Sequence, residues 1–302
     1  MKNHLEHLAT ARRVGLFDSG LGGLSVLRSL AGVTGQQREF IYIGDTLRCP
    51  YGDRSPDEIV AFVDQLTAWL ELEGADAIVM ACNTSAAHAA SEVEKRSSVP
   101  VFDLLTPTAA YLADSGLKKV GVIATASTAS SHAFANSVRR LTDRVEILET
   151  GCPLLVPVVE AGLCRGKEAV EALRVYVLDL IDAGVDAIVY GCTHYPFLEE
   201  ALLEVLRTHA DRDIKIINPA DILASSLGAE VTFGVPDYSS TRFMTTGDAE
   251  TFSSIASLCL EATIEDAHNL PLPELVAAAE SAPASTRART QSGAYSSPAP
   301  VS

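Results

Sequence analysis

Residues 74–84 read GADAIVMACNT and residues 184–194 read GVDAIVYGCTH. The two stretches lie 110 positions apart. Each runs through Gly and Asp into Ala-Ile-Val and, after two intervening residues, reaches a cysteine, Cys82 or Cys192. A short apolar run rich in β-branched residues reads as a buried strand. An earlier pair, Val14-Gly15-Leu16-Phe17 and Val120-Gly121-Val122-Ile123, recurs 106 positions apart. One half-chain is therefore written twice, and each copy sets one thiol at the end of a strand. The expected fold class is α/β: two pseudo-symmetric lobes with parallel-type sheets flanked by helices, and an active site in the cleft between them.

The flanking sequence supports this reading. Short apolar runs at 14–17, 40–43, 77–81 and 99–102 alternate with helical patterns at 24–30, 56–72 and 85–95. The second half repeats the alternation, with strands at 120–124, 145–148, 187–191 and 215–217 and helices at 128–141, 168–183 and 197–209. Strands alternating with helices predict parallel sheets covered on both faces. Residues 1–12 read as a mobile lead-in. Residues 270–302 are rich in Ala, Ser and Pro and poor in large apolar side chains, which predicts a disordered tail.

Composition narrows the function. The chain has 302 residues, 47% of them hydrophobic, so a sizeable core can form. Its net charge is −16, from 39 acidic and 23 basic residues, with no basic stripe. Nucleic acid and membrane surfaces are poor partners for such a chain. MKNHLEHLATARR lacks the apolar region of a secretory signal, and no stretch is long and apolar enough to span a bilayer, so a cytoplasmic protein is expected. The six cysteines form no C-x-x-C pair, and no cluster has metal-ligand spacing, so neither a metal nor a disulfide framework is expected. Cys49, Cys152, Cys164 and Cys259 read as small core residues.

In parallel sheets, ligands bind beyond the carboxyl ends of the strands. Cys82 and Cys192 occupy such ends, each followed by a predicted helix start, where negative charge is stabilised and a thiol ionises more readily. Asn83-Thr84 and Thr193-His194 add polar groups at the same edge, and His194 can relay protons to a neighbouring thiol. Asp18-Ser19-Gly20-Leu21-Gly22-Gly23 follows the first strand; its glycines permit close backbone approach to a ligand. That loop, with Asp45 ending the next strand, also mimics a dinucleotide fingerprint, with Ser25 in the third glycine position. From spacing alone, Tyr51-Gly52 belongs to an ordinary turn, and Glu160 can face a cleft or solvent.

GLFDSGLGGLSVL (15–27), YIGDTLRCPYG (42–52), ACNTS (81–85), GCPLLVPVVE (151–160) and GCTHYP (191–196) together resemble the glutamate racemases of the cofactor-independent Asp/Glu racemase superfamily. The resemblance runs in order across about 13–270. It implies that Cys82 and Cys192 are the two acid/base residues. It also implies that Asp18 assists Cys82, and that His194 and Glu160 assist Cys192. Asp18, Ser19, Tyr51, Gly52, Asn83, Thr84, Thr193 and His194, with Thr125 and Glu160, would line the substrate site. A first lobe of 13–103 plus 217–268 and a second of 104–216 follow from the same resemblance. So do L-/D-glutamate as substrate, peptidoglycan supply as role, no cofactor and no metal, and a homodimer. The sequence departs from the family at Asn218-Pro219 (often Asp-Ser), Ala124 (often Gly) and Tyr190 (often Leu). The rival readings are an aspartate or other amino-acid racemase, a nucleotide-dependent oxidoreductase, and a non-catalytic thiol redox or regulatory protein.

Overall fold

The computed structural model describes residues 2–33, 38–227 and 234–281. The described strands are β1 (Arg13–Asp18), β2 (Glu39–Gly44), β3 (Ala77–Met80), β4 (Val101–Phe102), β5 (Lys119–Ala124), β6 (Glu146–Gly151), β7 (Ala187–Gly191), β8 (Lys215–Ile217), β9 (Thr241–Thr245) and β10 (His268–Asn269). They form a six-stranded sheet in the order β10-β9-β2-β1-β3-β4 and a four-stranded sheet in the order β6-β5-β7-β8. Every ladder is parallel. The block β2-β1-β3-β4 matches β6-β5-β7-β8 strand for strand, and the first sheet is extended by two strands that arrive after residue 240.

The repeated motif has a job at each position. Gly74 and Gly184 have φ of +77° and +74° and end the preceding helices, Pro56–Leu72 and Lys167–Asp182. This left-handed conformation favours glycine. Asp76 Oδ2 accepts hydrogen bonds from the backbone N–H groups of Arg12 and Arg13, at 3.1 and 2.9 Å. Asp186 Oδ2 accepts from Lys118 and Lys119, at 2.8 and 2.9 Å. Each Asp thus fixes the start of the neighbouring strand. The register that results is the same in both halves, with Val14 and Gly15 opposite Ala77 and Ile78, and Val120 and Gly121 opposite Ala187 and Ile188. The apolar runs are buried on both faces, as parallel strands under helices must be. Truncating a buried leucine of the covering helices, Leu70 or Leu180, costs about 3 kcal/mol by the usual cavity penalty.

Several expectations are corrected. From residue 2 onward the expected lead-in over 1–12 is not free: Lys2–Thr10 is a helix, and Leu8 is fully buried with Leu5 and Ala9 packed beside it. Leu5, Leu8 and Ala9 have the spacing of one helix face, a signal that two histidines and a Glu obscured. Residues 270–281 are ordered too. Helix Leu272–Ser281 buries Leu275 and Ala278, and Glu274 accepts a hydrogen bond from Trp69 Nε1 at 3.2 Å. The remainder of the expected tail, 282–302, lies outside the described residues. The helix expected over 128–141 is two, Ala126–Ser131 and Ala133–Arg139, broken at His132, whose φ is 52°. The helix expected at 197–209 starts as a 3-10 turn, Tyr195–Leu198, before Glu199–His209.

Candidate active site

The carboxyl ends of β1, β3, β5 and β7 face one another across the two sheets, and the loops leaving them meet. Ser25 Oγ donates to the carbonyl of Thr193 at 2.9 Å, and Thr193 Oγ1 donates to Asp18 Oδ2 at 3.1 Å. Opposite this seam, Thr84 Oγ1 lies 3.1 Å from both Thr125 Oγ1 and Thr128 Oγ1, and His88 Nε2 lies 2.9 Å from Ser127 Oγ. The approach is close enough that a Cβ on Gly22 would sit 2.6 Å from Thr193 Oγ1 and clash with the His194 ring. The Gly-rich loop is therefore filled by the second half of the chain and is not an open phosphate cradle. The dinucleotide-type reading falls with it, since Asp45 is also committed elsewhere.

Between the seams lies a cavity of about 20 Å³, bordered by both Cys82 and Cys192. Ser19, Tyr51, Gly52, Asn83, Thr84, Thr125, Thr193 and His194 border it as well, so most of the residues singled out in the sequence come together here. Asp18 and Glu160 stand behind this wall. Cys49, Pro50 and Val156, which the sequence gave no reason to select, complete the lining. A groove of about 1010 Å³ is larger but lies where the chain crosses between sheets, near Asp103, Thr106 and Ile222, and has neither thiol.

The two cysteines have different surroundings. Cys82 caps helix Asn83–Arg96, and its thiol donates to Ser19 Oγ at 3.8 Å. Burial raises its pKa above the ordinary thiol value, the Asp18 carboxylate adds to the rise, and Ser85 pulls the other way. Cys192 Sγ lies 3.7 Å from His194 Nδ1, and His194 Nε2 lies 2.6 Å from Glu160 Oε1. Burial works against charge on His194. The contacts with Cys192 and Glu160, and then the negative charge of Asp18, outweigh it and set the pKa well above that of a free imidazole. Asp18 is fully buried, which raises its pKa against the opposing pull of His194 and of the Gly20 N–H, which donates to Oδ1 at 2.8 Å. Its nearest bonded partner across the seam is Thr193, while it acts on Cys82 through charge.

The Tyr51–Gly52 turn is held from below. Asp45 accepts from the Tyr51 hydroxyl, from Arg48 Nε at 2.6 Å and from Thr246 Oγ1 at 2.8 Å. Arg48 also donates to Gln65 Oε1 at 2.6 Å and stacks over Phe62. The Tyr51 hydroxyl is thereby used up, leaving the turn's ring and backbone to the cavity. Asn83 is 2% exposed, and neither end of its amide has a partner among the described residues. A buried amide in that state is costly unless a ligand satisfies it. Among the departures from the family, Asn218 caps helix Pro219–Ser225 by accepting from the Ala220 N–H at 3.1 Å.

Two matching parallel-sheet halves that each deliver one thiol to a shared cavity define a two-lobed α/β amino-acid racemase. The chain belongs to the Asp/Glu/hydantoin racemase family, whose model matches residues 24–227. It is 38% identical over 245 residues to the glutamate racemase of Gloeobacter violaceus, covering 80% of this chain and 90% of that protein. Among solved structures it is similar to the glutamate racemase of Francisella tularensis in complex with D-glutamate (TM-score 0.74, 28% identity, 86% of this chain and 98% of that one). It is also similar to that of Thermus thermophilus in complex with β-chloro-D-alanine (TM-score 0.70, 34% identity, 87% and 98%). Among the described residues no helix is long and apolar enough to cross a membrane, and no cluster of His, Cys, Asp and Glu has the arrangement of a metal site.

Proposed function

We propose that the chain interconverts L- and D-glutamate by proton transfer between two thiols, with Cys192 and Cys82 on opposite faces of the α-carbon. The observation that carries this reading is a shared cavity bordered by both sulfurs, one from each half. With L-glutamate, the Cα–H bond breaks and its proton passes to the Cys192 sulfur. The electron pair is delocalised toward the carboxylate, and the Cys82 S–H then gives its proton to the opposite face. The sulfurs leave the turn with their protons exchanged, which is the form that accepts D-glutamate.

The surroundings fit this assignment. His194 carries a proton next to Cys192, and Glu160 holds the ring in place, so a thiolate at Cys192 has a cation beside it. Burial and Asp18 keep the proton on Cys82. The α-proton is weakly acidic, so the barrier has to fall through placement and preorganised donors. Asn83, Thr84, Ser19 and Thr193 supply these, with the N–H groups opening helix Asn83–Arg96. A cavity of about 20 Å³ holds a water molecule, not a five-carbon diacid, so the two halves part to admit substrate. Glutamate is preferred over aspartate on the strength of the relatives' activity and the Asn83-Thr84 and Thr193-His194 pairs. D-Glutamate for peptidoglycan, made in the cytoplasm by a homodimer, completes the proposal.

The test is incubation with pure L-glutamate in D2O without added cofactor. Optical rotation should decay to zero and the D-glutamate formed should carry deuterium at Cα. Inversion without deuterium, or faster turnover of aspartate, would sink the assignment.

A further inference from the structure

At the opposite, amino end of the first sheet a second feature stands apart from the thiols. Arg12, Arg38 and Ser240 directly precede β1, β2 and β9. With Ser239, Asp237 and an apolar floor that includes Leu30 and Phe40, they border a cavity of about 490 Å³. Arg38 is only 9% exposed. Its Nη2 donates to the carbonyl of Ala9, in the last turn of helix Lys2–Thr10, at 3.1 Å. Nε and Nη1 are buried with no hydrogen-bond partner among the described residues. A guanidinium is a fixed fork of donors, and leaving two of them dry and unpaired costs stability.

Neighbouring acids do not meet this need. Glu39 is bound to Arg13, at 2.8 Å from Nε and 2.7 Å from Nη2. Asp237 accepts from the Ser239 N–H at 2.9 Å. Burial alone lowers the Arg38 pKa to about 10, so the side chain stays charged at neutral pH. A buried cation with spare donors, a second arginine and two serines lining the same cavity are the donor types that recognise carboxylate and phosphate groups.

We propose that Arg38 is the base of a binding site for a small oxyanion, a phosphate or carboxylate group, whose organic remainder rests on the Leu30–Phe40 floor. This site is about a binding event at the far end of the sheet and does not depend on the racemase chemistry.

The experiment uses the full chain, with calorimetric titration and thermal melting in sodium phosphate or sodium acetate against sodium chloride of equal ionic strength. Saturable binding of one of the two anions with a raised Tm is expected; preference for phosphate identifies a phosphate ester as ligand, preference for acetate a carboxylate. Arg38→Gln should weaken binding by about 100-fold or more and Arg12→Gln by about tenfold, in line with charge-assisted contacts of unequal burial. Arg12 is exposed, so its variant reads the site even if Arg38→Gln does not fold. Cys82→Ser should retain binding. Absence of saturable binding by both anions, binding that survives both arginine variants, or binding lost in Cys82→Ser would each overturn the proposal.

Discussion

The two halves share a scaffold down to the register of their central strands, yet the thiols they deliver are prepared differently. Around Cys82 stand a hydroxyl, a long helix start and a buried carboxylate; around Cys192 stand an imidazole and, behind it, Glu160. The repeat sets where the sulfurs are. The unrepeated neighbours give each sulfur different charges and hydrogen-bond partners.

The sharpest way to break the comparison is to remove one sulfur at a time. Cys82→Ala and Cys192→Ala should each lower racemisation by about a thousandfold or more, the scale of losing a positioned acid or base. They should differ in exchange. Cys82→Ala should still wash deuterium into L-glutamate and not into D-glutamate, and Cys192→Ala the reverse, as read by NMR. Identical exchange patterns would mean that the two thiols are interchangeable.

Next in size is Gly22→Ala. The added methyl pushes on Thr193 and His194 across the seam. A displacement on the order of 1 Å at reacting groups costs about 100-fold in rate, and overpacking this seam costs a further ~1–3 kcal/mol of stability. Steady-state kinetics beside a melting curve would separate the two effects.

His194→Gln tests the asymmetry through pH. The folded His194 pKa is raised, so the cation is present below that value and is lost as pH rises through it. The wild-type rate should therefore fall on the alkaline side, and that limb should change in the variant along with a loss of about tenfold to 100-fold. Because the two enantiomers have equal free energy, kcat/KM must stay equal in both directions. Any one-sided effect can appear only in kcat and KM taken separately.

The smallest effect concerns the scaffold. Asp76→Asn and Asp186→Asn should each cost about 1 kcal/mol in denaturant melts, since exposure limits what these backbone contacts are worth, and leave kcat unchanged. The Asp186 pKa is lowered, first by the Lys119 and Lys118 N–H groups. Its contribution is complete above the ordinary value of 3.8 and fades as pH falls through the lower folded one. Unequal costs at neutral pH would show that the halves differ in scaffold as well as in chemistry.

Most of the strands were legible because parallel strands buried on both faces leave uninterrupted apolar runs, and both 77–80 and 187–191 are such runs; their order in the sheets, and the strands at 241–245 and 268–269, were not. The helices at the two ends were not. Their apolar faces are narrow, and only contact with Trp69 or the first sheet makes them worth folding. Cys82, Asn83, Cys192 and His194 could be picked out because they sit beside repeated strands. Cys49 and Val156 had no partner in the repeat, and Arg38 gave no sign in the sequence, because a guanidinium with unfilled donors is a property of its surroundings.

By itself the sequence determined the duplicated half and the strand each thiol terminates, since these are written in short runs of residues close along the chain. Only the tertiary structure decided that Asp18 faces Thr193, that Gly22 makes room for His194, and that His194 is charged while Cys82 keeps its proton. Those outcomes depend on burial and on charges brought together from separate elements, and the electrostatic energy of a group is set by its distance to them in space.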